Sequence, residues 1–284
     1  MRPLASHLLP LASLRAGRFS LALERPLIMG VVNVTPDSFS DSGRFLGTQQ
    51  AVEHARVLIE EGADILDIGG ESSRPGAEPV GLDEELRRVM PVLEKLGGLP
   101  VPVSVDTCKP EVMRRAIAAG AAMVNDINAL RGPGALEAVA ESQAAVCLMH
   151  MQGEPRTMQQ DPHYADVVSE VTEYLAQRVE AAQQAGIARE RIVIDPGFGF
   201  GKTAEHNLIL LRNLRKLSDL PIVAGLSRKS TLGKLTGRPV EERLAGSLAM
   251  ALLALQAGAR ILRVHDVRET RDVISVWQAF KNDS

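Results

Sequence analysis

Leu27-Ile28-Met29-Gly30-Val31-Val32-Asn33-Val34-Thr35-Pro36-Asp37-Ser38-Phe39-Ser40-Asp41 decides the reading of this chain. The apolar, β-branched run up to Val32 reads as a buried strand, and it stops at Asn, Thr, Pro and two Asp. Oxygen and amide groups thus collect where a parallel strand gives way to its loop, the end of the sheet at which α/β proteins keep their chemistry. Taken alone, Pro36-Asp37-Ser38 is also ordinary turn chemistry, and the rest of the chain separates the two readings.

The same alternation of short apolar strand, polar loop and helix-period segment recurs along the chain. Strand candidates lie near 27–32, 64–68, 101–105, 122–125, 145–149, 192–195, 221–226 and 260–264, and their polar exits are Asn33, Gly69, Asp106, Asp126, His150, Asp195, Ser227 and His265. Every interval is long enough for a crossover helix. Thr48 is expected to cap a helix carrying Val52, Ala55, Leu58 and Ile59 on one face, with Gly62 as its left-handed stop. Pro110 suits the first turn of another helix, and Val167, Val171, Leu175 and Val179 form the buried stripe of a third. Eight such units predict an α/β fold, a (β/α)8 TIM barrel over residues 27–284. Residues 1–26 are a separate extension whose segment 11–25, alternating around Gly17, is expected to be a short N-terminal hairpin at the barrel bottom.

At 284 residues and 45% hydrophobic content the chain matches the size of one such barrel. Lys plus Arg number 32 against 35 Asp plus Glu, so the net charge of −3 provides no basic field for nucleic acid or an anionic membrane. Small-molecule substrates are therefore expected. The two cysteines, Cys108 and Cys147, lack metal-site spacing and read as free thiols of a cytoplasmic protein. The patch Leu8-Leu9-Pro10-Leu11-Ala12 is too short and too broken for a secretory signal, and no apolar run reaches the 18 residues of a membrane span.

Closing eight strands into a barrel brings all the exits around one mouth. Asp106, Asn125 and Asp195 then end buried strands, where an uncompensated polar group costs about 2–7 kcal/mol and a polar ligand is the natural partner. The bland alternatives are a helix cap for Asp106 and a strand-end hydrogen bond for Asn125. Lys229 and Arg263 stand after strands seven and eight, where these barrels commonly bind an anion, and they look like a phosphate clamp. Arg228 reads as solvated or structural. Gly197-Phe198-Gly199-Phe200-Gly201-Lys202-Thr203 imitates a phosphate-binding loop, but that motif requires glycine where Pro196 stands, and the dinucleotide pattern requires glycine where Lys202 stands. The segment reads instead as a loop whose glycines allow close approach to a flat ligand. Phe200 either stacks on that ligand or anchors the loop in the core.

Several long motifs in one order resemble the dihydropteroate synthases of the folate pathway: Met29 through Gly43, Asp67 through Gly76, Ser104-Val105-Asp106-Thr107, Asn125-Asp126, Cys147 through Met151, Asp195 through Lys202, Ser227 through Ser230 and Arg263 through Asp266. The resemblance implies a homodimeric transferase, of a family in whose aminobenzoate site sulfonamides compete. Such an enzyme joins 6-hydroxymethyl-7,8-dihydropterin diphosphate to 4-aminobenzoate with release of pyrophosphate. It implies Asn33 as the Mg²⁺ ligand and Asp106, Asn125, Asp195 and Lys229 around the pterin. It further implies Ser73, Arg74, Phe200, Arg263, Val264 and His265 at the remaining substrate groups, and Thr35, Phe39, Pro75 and Lys229 around aminobenzoate. Asp41, Lys229 and Arg263 would be the catalytic set. Ser73 departs from the Thr of many relatives but keeps the hydroxyl.

Two other classes compete. A pterin-binding methyltransferase barrel would share the acidic grip yet have no use for Lys229, Arg263 and His265 as a diphosphate clamp. A non-catalytic pterin-binding module would not need the full loops that carry Asp41 and Arg74.

Overall fold

The computed structural model describes residues 11–34, 44–72 and 76–282. Strands β1 (Ser13–Ala16) and β2 (Phe19–Ala22) form an antiparallel hairpin whose two-residue turn has positive φ at Gly17 alone. That is the type II′ pattern, for which glycine at the first turn position is the unstrained residue. Eight parallel strands follow: β3 (Leu27–Asn33), β4 (Ile65–Gly69), β5 (Val103–Asp106), β6 (Met123–Asp126), β7 (Ala145–Met149), β8 (Ile192–Asp195), β9 (Val223–Ala224) and β10 (Ile261–Val264). They are ordered β8-β7-β6-β5-β4-β3-β10-β9. The two ends meet where Ile194 bridges Ile222 and its N–H donates to Pro221 O at 3.1 Å. The chain is therefore the expected (β/α)8 barrel with an N-terminal hairpin.

The crossovers are α1 (Arg44–Glu60), α2 (Leu82–Lys95), α3 (Pro110–Ala118), α4 (Ala135–Ala140), α5 (Val167–Gln184), α6 (Ala204–Arg212) and the pair α7 (Ser230–Thr236) and α8 (Leu244–Ala257), and α9 (Val267–Asn282) follows β10. Pro110 opens α3, and the Asp166 carboxylate caps α5 by accepting from Val168 N and Ser169 N. Thr48, expected as a cap, instead lies inside α1, which begins at Arg44. The single interior Gly47 costs only about 1 kcal/mol, too little to stop a helix whose Ala51, Val52, Ala55 and Leu58 are buried. Strand β9 is shorter than the expected 221–226, since Pro221 offers no N–H to the ladder. Among the described residues no helix is long and apolar enough to cross a membrane.

Side chains alternate across each strand. One set, including Ile28, Leu66, Ile68, Val105, Val124 and Ile194, packs against the helices. The other set fills the barrel. At its lower end Leu27, Met29, Ile65, Met123, Ala145, Val193, Val223 and Ile261 form one cluster with Leu14, Ala16 and Leu23 of the hairpin region, so the hairpin plugs the bottom. One step further along the same strands the inward positions turn polar.

Candidate active site

Arg263 on β10 sits at the centre of the polar end. Its Nε donates to Asp67 Oδ2 and its Nη2 to Asp106 Oδ2, both at 2.7 Å. Asp67 Oδ2 also accepts from Asn125 Nδ2 at 3.0 Å. One guanidinium thus gathers residues from β4, β5 and, through Asp67, β6. Burial pushes the Asp106 carboxyl up to about 7, with Arg263 opposing and Asp67 reinforcing the rise. The neighbouring Asp67 charge favours a retained proton on Asp106, and the guanidinium they share works against it. The same carboxylates hold the guanidinium well above its ordinary value despite its burial. Asp106 is thereby an ion-pair partner, not the helix cap considered above, since the N-cap of α3 is Lys109.

Asp195 at the end of β8 accepts Gly197 N on Oδ1 at 2.7 Å. Its Oδ2 and the Lys229 ammonium flank Gly225: a Cβ there would lie 3.7 Å from the oxygen and 3.5 Å from Nζ. Glycine therefore keeps open the space that carboxylate and ammonium share. Burial raises the Asp195 carboxyl, with Lys229 opposing the rise, and lowers the Lys229 amine to about 8, with Asp195 opposing the fall. Lys229 Nζ donates to Phe198 O at 2.5 Å and stands 4.8 Å from the centroid of the Phe200 ring. Phe200 itself packs with Met149, Met151 and Met158. Its ring anchors the loop and walls the lysine at once.

His265 N donates to Ser227 Oγ at 3.3 Å, and Nδ1 lies 3.1 Å from the same oxygen. Val264 turns its side chain into the layer between sheet and helices, so only its main chain faces the mouth. Asn33 is half-buried at the end of β3, opposite Gly69. Arg228, φ +57°, is ion-paired with Asp266. Thr35, Phe39, Asp41, Ser73, Arg74 and Pro75 lie outside the described residues. Asp126, an exit in the sequence reading, spends its carboxylate on Asn128 N and Leu130 N.

Two participants were not singled out from sequence. Asp67 is fully buried in mid-strand, and the available signal was a charge inside Ile65-Leu66-Asp67-Ile68-Gly69, which burial obliges to find a partner. Lys109 bridges Glu71 and the buried Glu85 of α2, and Glu71 also accepts Val80 N at 3.1 Å. One carboxylate thereby ties together the start and end of the β4–α2 loop. A cleft of about 460 Å³ lined by Glu71, Asp106, Asn128, Arg131 and Met151 opens beside it.

Such a mouth defines a barrel enzyme with a buried, charge-rich site for a small polar molecule. A family model described as "Pterin binding enzyme" matches residues 29–265. The dihydropteroate synthase of Escherichia coli K12 is 51% identical over 263 residues, which cover 92% of this chain and 93% of that protein. A structure of the Xanthomonas albilineans dihydropteroate synthase with 4-aminobenzoic acid has 55% identity and a TM-score of 0.90, covering 95% of this chain and 98% of that one. The Burkholderia cenocepacia dihydropteroate synthase complexed with 7,8-dihydropteroate has 50% identity and a TM-score of 0.88, covering 97% and 98%. The chain belongs to the dihydropteroate synthase family of pterin-binding enzymes, which are transferases.

Proposed function

We propose that this barrel joins 6-hydroxymethyl-7,8-dihydropterin diphosphate to 4-aminobenzoate, giving 7,8-dihydropteroate and pyrophosphate. The observation that carries the reading is the grouping of Asp106, Asn125, Asp195, Lys229 and Arg263 around one opening, in a chain about half identical to dihydropteroate synthases over nearly its full length. Asp67 Oδ1 and Asn125 Oδ1 are buried and accept no hydrogen bond among the described residues. An unmatched buried acceptor costs about 1–3 kcal/mol, and a pterin edged with N–H groups supplies donors. Asp195 accepts from the ring N–H and amino group while Lys229 spans the ring edge.

In the reaction the methylene carbon–oxygen bond breaks and its electron pair leaves with pyrophosphate. The pterin ring delocalises the resulting positive charge. The amine nitrogen of aminobenzoate attacks the methylene and then releases one proton to solvent. Neutral at pH 7, that amine needs no strong general base. Arg263 and His265 draw off the anion, and only two of the five guanidinium N–H groups are engaged by Asp67 and Asp106. Catalysis is then positioning plus electrostatics, in which one well-placed donor is worth about 2.7–4 kcal/mol. Asp41, Ser73, Arg74 and Val264 complete the substrate contacts in this reading, with Thr35, Phe39 and Pro75 at the aminobenzoate pocket where sulfonamides compete.

Among the described residues no group of three or more His, Cys, Asp or Glu could hold a metal. A lone amide oxygen at Asn33 suits Mg²⁺ that enters with the diphosphate, since this ion commonly takes one or two protein oxygens besides phosphates and water. Bound there, Mg²⁺ would neutralise charge on the departing pyrophosphate. The proposal includes a cytoplasmic homodimer. Light scattering tests the dimer. The reaction is tested by supplying purified protein with both substrates and Mg²⁺ and measuring pyrophosphate and dihydropteroate. Failure to form either product in the complete mixture would refute it.

A further inference from the structure

Lys202 ends the glycine-rich segment that imitates a phosphate loop, and the reaction above gives it no task. It is only 2% exposed. Its ammonium contacts Gly197 O at 3.0 Å, Phe200 O at 3.0 Å and His150 Nδ1 at 2.9 Å. Two of these partners belong to the loop that follows Asp195, and the third belongs to the exit of β7. A Cβ on Gly197 would collide with His150 O, and one on Gly201 with Gln152 O, so the loop lies directly against that exit. Tyr164 Oη donates to Gly201 O at 2.8 Å, and Asn207 Oδ1 accepts Gly199 N at 2.9 Å. On the other side of the same loop, Phe198 O and the Phe200 ring hold the Lys229 ammonium.

We infer that Lys202 is a positioning residue, tying the loop to His150 so that Phe198 O and Phe200 hold Lys229 across Gly225 from Asp195. It acts on pterin recognition through Lys229, without touching the ligand. The inference rests on the pterin-binding reading. Its contact set tolerates either protonation state: an ammonium donates three times, and a neutral amine still donates to both carbonyls while accepting from His150 Nδ1–H. Burial holds His150 down to about 3, so the imidazole stays neutral for this contact. The lysine itself is lowered to about 7, also by burial.

The test compares wild type with Lys202→Met and Lys202→Gln, each confirmed as folded by thermal melting. Calorimetry with 6-hydroxymethylpterin reads affinity. NMR of ¹³Cε-labelled lysine in the unliganded protein, with Lys229 assigned through Lys229→Gln, reads the Lys229 titration midpoint. Lys202→Met should weaken pterin binding at least tenfold, and the amide of Lys202→Gln should restore at least threefold of that. Losing the Phe198 carbonyl should lower the Lys229 midpoint by about half a pH unit, a threefold change in proton affinity. If the methionine variant does not fold, the glutamine variant carries both readouts with smaller changes. Pterin affinity within threefold of wild type in the folded variants, or an unmoved Lys229 midpoint, would overturn the inference. A wild type that binds no pterin would overturn the pterin reading itself, and this inference with it.

Discussion

The two ends of the barrel interior are built from the same strands and obey opposite rules. At the base, Leu27, Met29, Ile65, Met123, Val193, Val223 and Ile261 close on the hairpin without a charge among them, and each such side chain contributes about 1.5–3 kcal/mol by leaving water. Two residues further along β4, β6, β8 and β10 stand Asp67, Asn125, Asp195 and Arg263. Burial there pushes Asp106 and Asp195 up and Lys229 down, toward their neutral forms. The base is stabilised by desolvation and the mouth is strained by it. Stability and function are therefore separable along single strands, a few ångströms apart.

Breaking the mouth should produce the largest effect. Asp195→Ala is expected to remove measurable pterin binding in calorimetry while leaving a cooperative thermal transition, because the lost group is a buried carboxylate that the folded barrel does not need. A fall in affinity of less than about tenfold, ~1.4 kcal/mol, would show that Asp195 does not carry recognition.

The complementary change at the base is Ile65→Ala, one pleat below Asp67. Deleting a buried branched side chain there should cost about 2–5 kcal/mol in urea unfolding. Pterin affinity of the fraction still folded should stay within about twofold. Unchanged stability, or affinity lost in step with it, would mean that the two ends are not separable.

Arg263→Lys sharpens the comparison within the mouth. Lysine keeps the charge but not the planar fork that reaches Asp67 and Asp106 together. Turnover should fall at least about tenfold with little change in the dissociation constant of the pterin diphosphate, the pattern of a contact that strengthens in the transition state. Normal turnover with weaker substrate binding would make Arg263 a ground-state anchor.

The smallest expected effect concerns pH. Asp106 holds its proton up to about 7 in the folded protein, against an ordinary 3.8. Between those values the folded state binds more protons than the unfolded chain, so this group's contribution to stability declines as pH rises from about 4 to about 7. Asp106→Asn should remove that decline. Urea midpoints of wild type and variant measured across the window check it, and a wild-type midpoint that keeps level with or gains on that of the variant as pH rises would contradict the shift.

Strand positions and the barrel were legible in the sequence because the period of the apolar pattern is a local property, and buried parallel strands leave it nearly uninterrupted. Asp106, Asn125, Asp195 and Arg263 were legible as polar residues ending or interrupting such runs. Which of them touch was not, since the Arg263 contacts to Asp67 and Asp106 span 196 and 157 residues of chain. Barrel closure alone sets those distances. Asp67 does not stand out in the sequence because it sits inside a strand rather than at its end. Lys202 belongs to a motif that fails as a phosphate loop, and its burial arises only once the loop folds back on His150. By itself the sequence determined the fold, the family and the charged groups that end strands at the mouth. Tertiary structure decided the pairing among those groups and the direction of their pKa shifts, because both depend on desolvation and on through-space distance, neither of which is carried by any local stretch of chain.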